Sequence, residues 1–381
     1  MIEFRAVAYS DIHYHHYDNG LTINDINNIE AEVLEAAREH QANIILHGGD
    51  WFQARNPLHS LRAMRDANLK KKAQEFQMAL LLGNHDREGR SAHSGHALMH
   101  LPVFKESVPN VLIMDERKRY RLDPSNSDLK MVLDIHAVPA GHSIEIAPFE
   151  EAGADLNLCM FHDMIKGSWQ QNGIEAKHGL DPAVLDLPWF DLVLGGDNHV
   201  AQELKLSNTK GYYIGAPCQH NWGDAKQDRG YVKITVIKDG GTKWVDVQHI
   251  LTKTPKFIKI QATIDTPESA KNIVKTVAGW NADNRYIGNI VHITLMGDGA
   301  LLSKIKAHVL EDQLAKEVKA RKVQVTIEPT IVVREMVPEL RTTRTPDEDW
   351  QVYIRSGKLD LDGVSQDQVI SMGLEVLYNA R

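Results

Sequence analysis

From Met1 to Ser10 apolar and polar residues alternate, which predicts a strand over Ile2–Ser10. The period then lengthens. Ile26, Ile29, Val33 and Ala37 recur at helical spacing, so Asp25–His40 reads as an amphipathic helix. Short apolar runs at Asn43–His47 and Met78–Leu82 read as buried strands, with a charged helix, Leu58–Phe76, between them. His93–Phe104 reads as a further helix. Met131–Val138, Leu156–Phe161, Phe190–Leu194, Gly211–Ile214, Tyr231–Ile237 and Lys243–Ile250 have strand length. Strands alternating with helices give an α/β class, with one central sheet or two packed together.

Leu251–Pro255 looks like a boundary, which makes residues 1–252 a first domain. Beyond it, strands are expected at Phe257–Thr263, Ile290–Leu295 and Val323–Ile327. Helices are expected at Pro267–Ala278 and Leu301–Val318. This is a smaller α/β unit over 256–340. Arg341–Trp350, with the Asp347-Glu348-Asp349 run, reads as a polar linker. A C-terminal segment over 346–381 ends in a helix, Gln366–Asn379, with Ile370, Leu374, Leu377 and Tyr378 on one face.

Length and composition narrow the class. A chain of 381 residues is long enough for two or three domains at roughly 150 residues each. Its two cysteines, Cys159 and Cys218, are too few for a disulfide framework or a zinc finger, and suit a reducing cytoplasm. No run of apolar residues is long enough for a membrane span, and no secretory leader is expected at the N-terminus. The formal charge is −8, which argues against a protein that holds nucleic acid simply by being basic. That total is uneven: −9 over residues 1–250, +5 over 251–345 and −4 over 346–381.

Five apolar strands each end in metal-type ligands. They are Asp11-Ile12-His13, Gly48-Gly49-Asp50, Gly83-Asn84-His85-Asp86, His162-Asp163, and Gly196-Asp197-Asn198-His199. Ligands of open α/β sheets bind beyond the carboxyl ends of strands. The glycines before Asp50, Asn84 and Asp197 allow a sharp turn and a close approach to an ion. Strand alternation would put Asp11 and His13 on one face, and likewise Asp197 and His199. Any one of these clusters alone fits a strand-to-loop turn with a capping carboxylate; five in order do not.

In that order the motifs resemble those of the calcineurin-like metallophosphoesterase superfamily. The resemblance implies a two-sheet sandwich flanked by helices and a site for two divalent ions. Asp11, His13, Asp50 and His199 would hold the first ion. Asp50, Asn84, His162 and Asp197 would hold the second, with Asp50 as the bridge. His85 would be no ligand; it would stabilise the transition-state phosphate or protonate the leaving oxygen. Mixed Asp, His and Asn ligands suit Mn²⁺, with Mg²⁺, Fe²⁺ or Zn²⁺ as alternatives. Asp197 departs from the family, which usually carries His there. This predicts either a shift toward Mn²⁺ or Mg²⁺, or a weakened second ion.

A second string follows the last motif: Tyr213-Ile214-Gly215-Ala216-Pro217, Trp222-Gly223-Asp224 and Arg229-Gly230-Tyr231. It resembles SbcD-type recombination nucleases, particularly phage members. That resemblance implies a DNA exonuclease or endonuclease subunit acting in recombination or repair. Its 256–340 unit would be a capping domain that contacts the DNA backbone. Its C-terminal helix would dock on an SbcC-like ABC ATPase, and Leu58–Phe76 and His93–Phe104 lie where family members form a homodimer. The chain has no Gly-x-x-x-x-Gly-Lys-(Ser/Thr) of its own. The expected location is the cytoplasm, that of the host if the chain is phage-encoded. Two other readings remain open here: a small-substrate phosphodiesterase or phosphatase of the same fold, and a non-catalytic scaffold that binds DNA and the ATPase. Among the remaining histidines, His15 and His16 are the ones expected near the cleft; His136, His142 and His220 read as surface or structural.

Overall fold

The computed structural model describes residues 1–15, 20–89, 94–98, 110–125, 127, 129–142, 153–170, 173–281, 283–329, 345–356 and 365–379. The first half of the chain runs β1 (Ile2–Tyr9), α1 (Ile23–Glu39), β2 (Ile44–His47), α2 (His59–Ala73), β3 (Gln77–Leu81), β4 (Val111–Met114), β5 (Lys118–Leu122), β6 (Leu133–Val138) and β7 (Leu156–His162). It continues through β8 (Leu192–Gly196), β9 (Gln202–Glu203), β10 (Gly211–Tyr213), β11 (Gly230–Asp239) and β12 (Thr242–Leu251).

Two six-stranded sheets result, ordered β12-β11-β1-β2-β3-β4 and β5-β6-β7-β8-β10-β9. The fold is therefore α/β with two central sheets, as the sequence predicts. β1 to β4 are parallel, and so are β6, β7, β8 and β10, so their carboxyl ends share one edge. Ala6, Ala8, Leu46 and Leu81 of one sheet meet Leu133, Leu158, Leu192 and Leu194 of the other in a single apolar layer. The outer face of the first sheet is covered by α1, whose Ile26, Ile29, Val33 and Ala37 are all buried against Val7, Tyr9 and Ile45.

A third sheet, β13 (Phe257–Ile264), β14 (Ile290–Gly297) and β15 (Lys322–Pro329), is wholly parallel. Its Val291, Ile293 and Leu295 pack against α4 (Ile273–Gly279) and α6 (Ala307–Glu317), while α3 (Pro267–Lys271) and α5 (Gly299–Leu302) flank them. The two long helices expected here are each broken. Asn272 leaves helical geometry between α3 and α4, and residues 303–306 separate α5 from α6. The sheet is tied to the first by Phe257 and Ile290, which belong to the core of α1 and β1, and by an Arg321–Asp25 ion pair at 2.6 Å.

Other expectations need correction. Thr345 caps α7 (Pro346–Arg355), so the acidic run at 347–349 is the first turn of a helix rather than linker. There its negative charge faces unpaired backbone N–H groups, which favours it. α7 packs on α8 (Gln366–Asn379): Trp350 Nε1 donates to the Ile370 carbonyl at 3.2 Å. Leu377 and Tyr378 of the expected face lie outside the described side chains. Of His93–Phe104, only residues 94–98 are described; they form a turn, with His96 bridged to Arg87. The remainder of that expected helix, and His16, lie outside the described residues. β4, β5 and the two-residue β9 have no counterpart among the expected elements; β5 is an edge strand of mostly charged residues, which carries no apolar alternation. No helix among the described residues is long and apolar enough to cross a membrane.

Candidate metal centre

All five motifs arrive at the shared sheet edge. Asp11 and His13 follow β1, Asp50 follows β2, Asn84 and His85 follow β3, His162 ends β7, and Asp197 and His199 follow β8. The alternation argument for Asp11 and His13 fails, because the strand has already ended at Tyr9. What aims them is a left-handed backbone: φ is +52° at Asp11, +47° at His13, +57° at Asp50 and +75° at Asp197. Non-glycine residues adopt this region rarely, and clusters of them accompany functional sites. The loops after β1 and β2 stay paired, with Asp11 N donating to Gly49 O at 2.9 Å and His13 N to Asp50 O at 3.1 Å. Gly83 permits the crowding: a Cβ there would lie 2.0 Å from Asp50 Oδ1.

Asp50 sits between two donor groups. Its Oδ2 lies 3.6 Å from His13 Nε2 and its Oδ1 lies 3.4 Å from His162 Nε2. On the first side, His13 Nε2 and His199 Nε2 are 3.3 Å apart, and both can converge with Asp11 on one point. On the second, His162 Nε2 is 3.2 Å from Asn84 Oδ1 and 3.8 Å from Asp197 Oδ1. His162 Nδ1 donates to Gly48 O at 2.7 Å, which turns its other nitrogen toward those oxygens. His85 Nδ1 likewise donates to Gln53 O at 2.7 Å, so Nε2 is left for the cleft. All eight predicted site residues are thus brought together.

Divalent ions fit this set. Carboxylate, amide oxygen and imidazole donors converge in the pattern that hard and borderline cations take. Asp11 Oδ2 is buried and has no hydrogen-bond partner among the described residues, which suits an oxygen that ligates an ion. The electrostatics agree. Burial pushes the Asp11 carboxyl up to about 6, although His162 and His199 oppose the shift. Burial also acts on Asp50, but His162, His13 and His85 outweigh it and hold Asp50 well below the usual carboxylate range. Burial disfavours a charged His162 and His199; nearby carboxylates (Asp50, Asp11 and Asp197 for His162, Asp224 and Asp11 for His199) outweigh it and raise both. A cluster in which anions raise imidazoles is one short of positive charge.

A reading by motif names some supporting residues without giving them a role. Asp86 is fully buried and accepts from the backbone N–H groups of Asp50 at 2.9 Å, Trp51 at 2.8 Å and Gly83 at 3.0 Å, locking two ligand loops together. Asp224 lies 3.8 Å from His199 Nδ1 and pairs with Arg229 at 2.7 Å, and Arg229 also donates to the His199 carbonyl. These two explain the Trp-Gly-Asp and Arg-Gly-Tyr strings. His220, read as structural or surface, belongs to the site: Nε2 donates to Asp11 O at 2.7 Å and its ring lies 4.8 Å from His13. Burial, with His199 adding to it, lowers His220 to about 3, so it serves as a neutral donor. His15 is buried beside it, its Nδ1 donating to His13 O at 2.7 Å. Cys159 and Cys218 are buried and free, and burial pushes both thiols far up.

The cleft over these side chains is walled on its far side by the third sheet, through Phe257, Ile290, Lys322 and Gln324. Trp222 closes the seam, its ring 4.9 Å from Phe257 and 5.0 Å from His292.

Residues 4–201 match the family model for calcineurin-like phosphoesterases. Among curated proteins, the DNA double-strand break repair protein Mre11 of Methanosarcina acetivorans is 22% identical over 347 residues, covering 83% of this chain and 52% of that protein. The Mre11 of Haloferax volcanii is 21% identical, covering 77% of this chain and 62% of its own length. The chain therefore spans little more than half the length of these relatives. Among solved structures, a dimetal phosphatase from Danio rerio aligns over 64% of this chain and 98% of its own, with 10% identity and a TM-score of 0.40.

Proposed function

The chain belongs to the calcineurin-like phosphoesterase family, and from that premise we propose that it is a metal-dependent DNA nuclease of the SbcD type, hydrolysing phosphodiester bonds at DNA ends or in single strands. The observation that carries the reading is the Asp50 carboxylate, with one oxygen toward His13 and the other toward His162. Asp11, His13, Asp50 and His199 would hold one ion, and Asp50, Asn84, His162 and Asp197 the other. Two divalent ions, Mn²⁺ first among them, supply an activated water and neutralise the phosphate oxygens. The protein's own part is orientation and proton handling. His85, fixed through Gln53 O, offers Nε2 to a phosphate oxygen or to the departing sugar oxygen. Asp224 and Arg229 hold the His199 ring and backbone still.

The DNA substrate is supported by the Mre11 relatives and by the third sheet, which puts Lys322 and Gln324 at the rim of the cleft. In this proposal residues 256–340 are the capping domain. The helical pair α7–α8, which leaves Met372 and Val376 more than three-fifths exposed, is the docking element for an SbcC-like ATPase. Cleavage of single- and double-stranded DNA and of bis-p-nitrophenyl phosphate, each with Mn²⁺, Mg²⁺ or Zn²⁺, tests the reading. DNA cleavage lowered about 10²-fold or more by His85→Ala is expected. Hydrolysis of the small ester without DNA cleavage under any ion would make it a small-substrate phosphodiesterase. Full biological function in His85→Ala would make it a scaffold.

A further inference from the structure

The segment carrying Asp11 and His13 is bracketed by two tyrosines that no part of the proposed chemistry uses. Tyr9 ends β1 and Tyr14 bridges to Phe52. Both are fully buried, and both hydroxyls turn to one carboxylate on α1. Tyr9 donates to Glu30 Oε2 at 3.1 Å and Tyr14 to Glu30 Oε1 at 2.8 Å. Burial first, and Glu30 next, push both phenols far above their usual range, so they remain donors. Lys72 of α2 pairs with the same carboxylate, and Asn68 donates to the Tyr14 hydroxyl at 2.9 Å. The side chains of Glu30 and Lys72 are 2% and 1% exposed.

A buried ion pair is a weak source of net stability, because desolvation offsets the attraction. Its geometry is the more informative property. Between the two tyrosines the backbone takes left-handed values at Asp11 and His13, which persist only where the surroundings over-determine them. We propose that Glu30, with Tyr9 and Tyr14, is a positioning clasp: it closes the two ends of the strained turn on one anchor and so holds Asp11 and His13 in the shape that accepts an ion. α2 supplies the counter-charge through Lys72, so the clasp also ties the first ligand loop to both helices of that face. The inference rests on the metal-site reading above.

The test is calorimetric titration of the full chain with Mn²⁺ alone. The proteins are wild type, Tyr14→Phe, and Tyr9→Phe combined with Tyr14→Phe. Tyr286→Phe is the control; that tyrosine is equally buried and hydrogen-bonded to Arg285, but lies in the core of the third sheet. The wild type takes up two ions. The clasp variants weaken one of the two binding steps by about 10–100-fold, as loss of outer support does elsewhere, and the control leaves both steps unchanged. Tyr14→Phe, which removes one donor of two, decides the matter should the double variant fail to fold. Unchanged Mn²⁺ affinities in a folded Tyr14→Phe would overturn the clasp while leaving the metal site intact. A wild type that binds no Mn²⁺ would overturn both.

Discussion

Asp197 stands where the resemblance leads to the expectation of a histidine, and its surroundings bear on what a carboxylate there would do. Its Oδ1 faces His162 Nε2 at 3.8 Å, and its backbone N donates to Asp11 Oδ1 at 3.2 Å. A third carboxylate beside Asp11 and Asp50 makes the donor set harder, which favours Mn²⁺ and Mg²⁺ over Zn²⁺. Asp197→His should therefore move the metal preference of the activity toward Zn²⁺ while Mn²⁺ activity falls. An inert wild type beside an active variant would instead mean a degenerate site. At this scale much of the site was legible. Asp50, Asn84 and Asp197 announce themselves because ligand chemistry sits beside glycine at the end of an apolar run, and Asp11 and His162 because it closes such a run. The roles of Asp86, Asp224, Arg229 and His220 do not, although the first three lie within the motifs. Their work is done across space on other residues' backbones and rings, and no spacing in the chain encodes it. The direction of Asp11 and His13 was expected for the wrong reason, since a left-handed turn replaced the strand.

Among the elements, most strands with apolar runs and α1 with its clean apolar face were readable within a residue or two, the short run of β4 being the exception. Edge strand β5 and helix α7 were not, because charge dominates both. The α7–α8 pair depends on a close approach: a Cβ at Gly373 would lie 2.1 Å from Trp350 Nε1. Gly373→Leu should separate the two helices, lowering binding of an ATPase partner while leaving hydrolysis of bis-p-nitrophenyl phosphate unchanged. Loss of that basal hydrolysis would show that the pair also supports the catalytic sheets. β6 offers a test by pH. His136 is buried against Trp189 and Phe190, and burial lowers it to about 4 although Asn157 and Asp134 pull the other way. A depressed histidine favours the fold when neutral. Its contribution is complete above the ordinary value of about 6.5 and is lost as pH falls from there to about 4. Thermal unfolding should show Tm falling across that window, and falling less in His136→Gln; equal slopes would remove His136 as a cause.

For the molecule as a whole, the charge of −8 is a sum of unlike parts. The first 250 residues carry −9 and include the acidic candidate ligands, which bound cations would offset, while residues 251–345 carry +5 and contribute Phe257, Ile290, Lys322 and Gln324 to the cleft wall. Nucleic acid would then be held by the bound ions and by one basic unit. Lys322→Ala should raise KM for DNA and leave KM for bis-p-nitrophenyl phosphate unchanged, because only the polymer reaches that wall; equal effects on both would place Lys322 in the ester site itself. Charges in solution further predict that DNA binding weakens with salt, by a slope close to one unit smaller in the Lys322 variant.

The central claim is that Asp50 bridges two ions. Anomalous diffraction from crystals grown with Mn²⁺ tests it most directly. Two peaks about 3.5–4 Å apart are predicted, one beside Asp11, His13 and His199, the other beside Asn84, His162 and Asp197, with Asp50 between them. A single peak, or none within reach of Asp50, would contradict it.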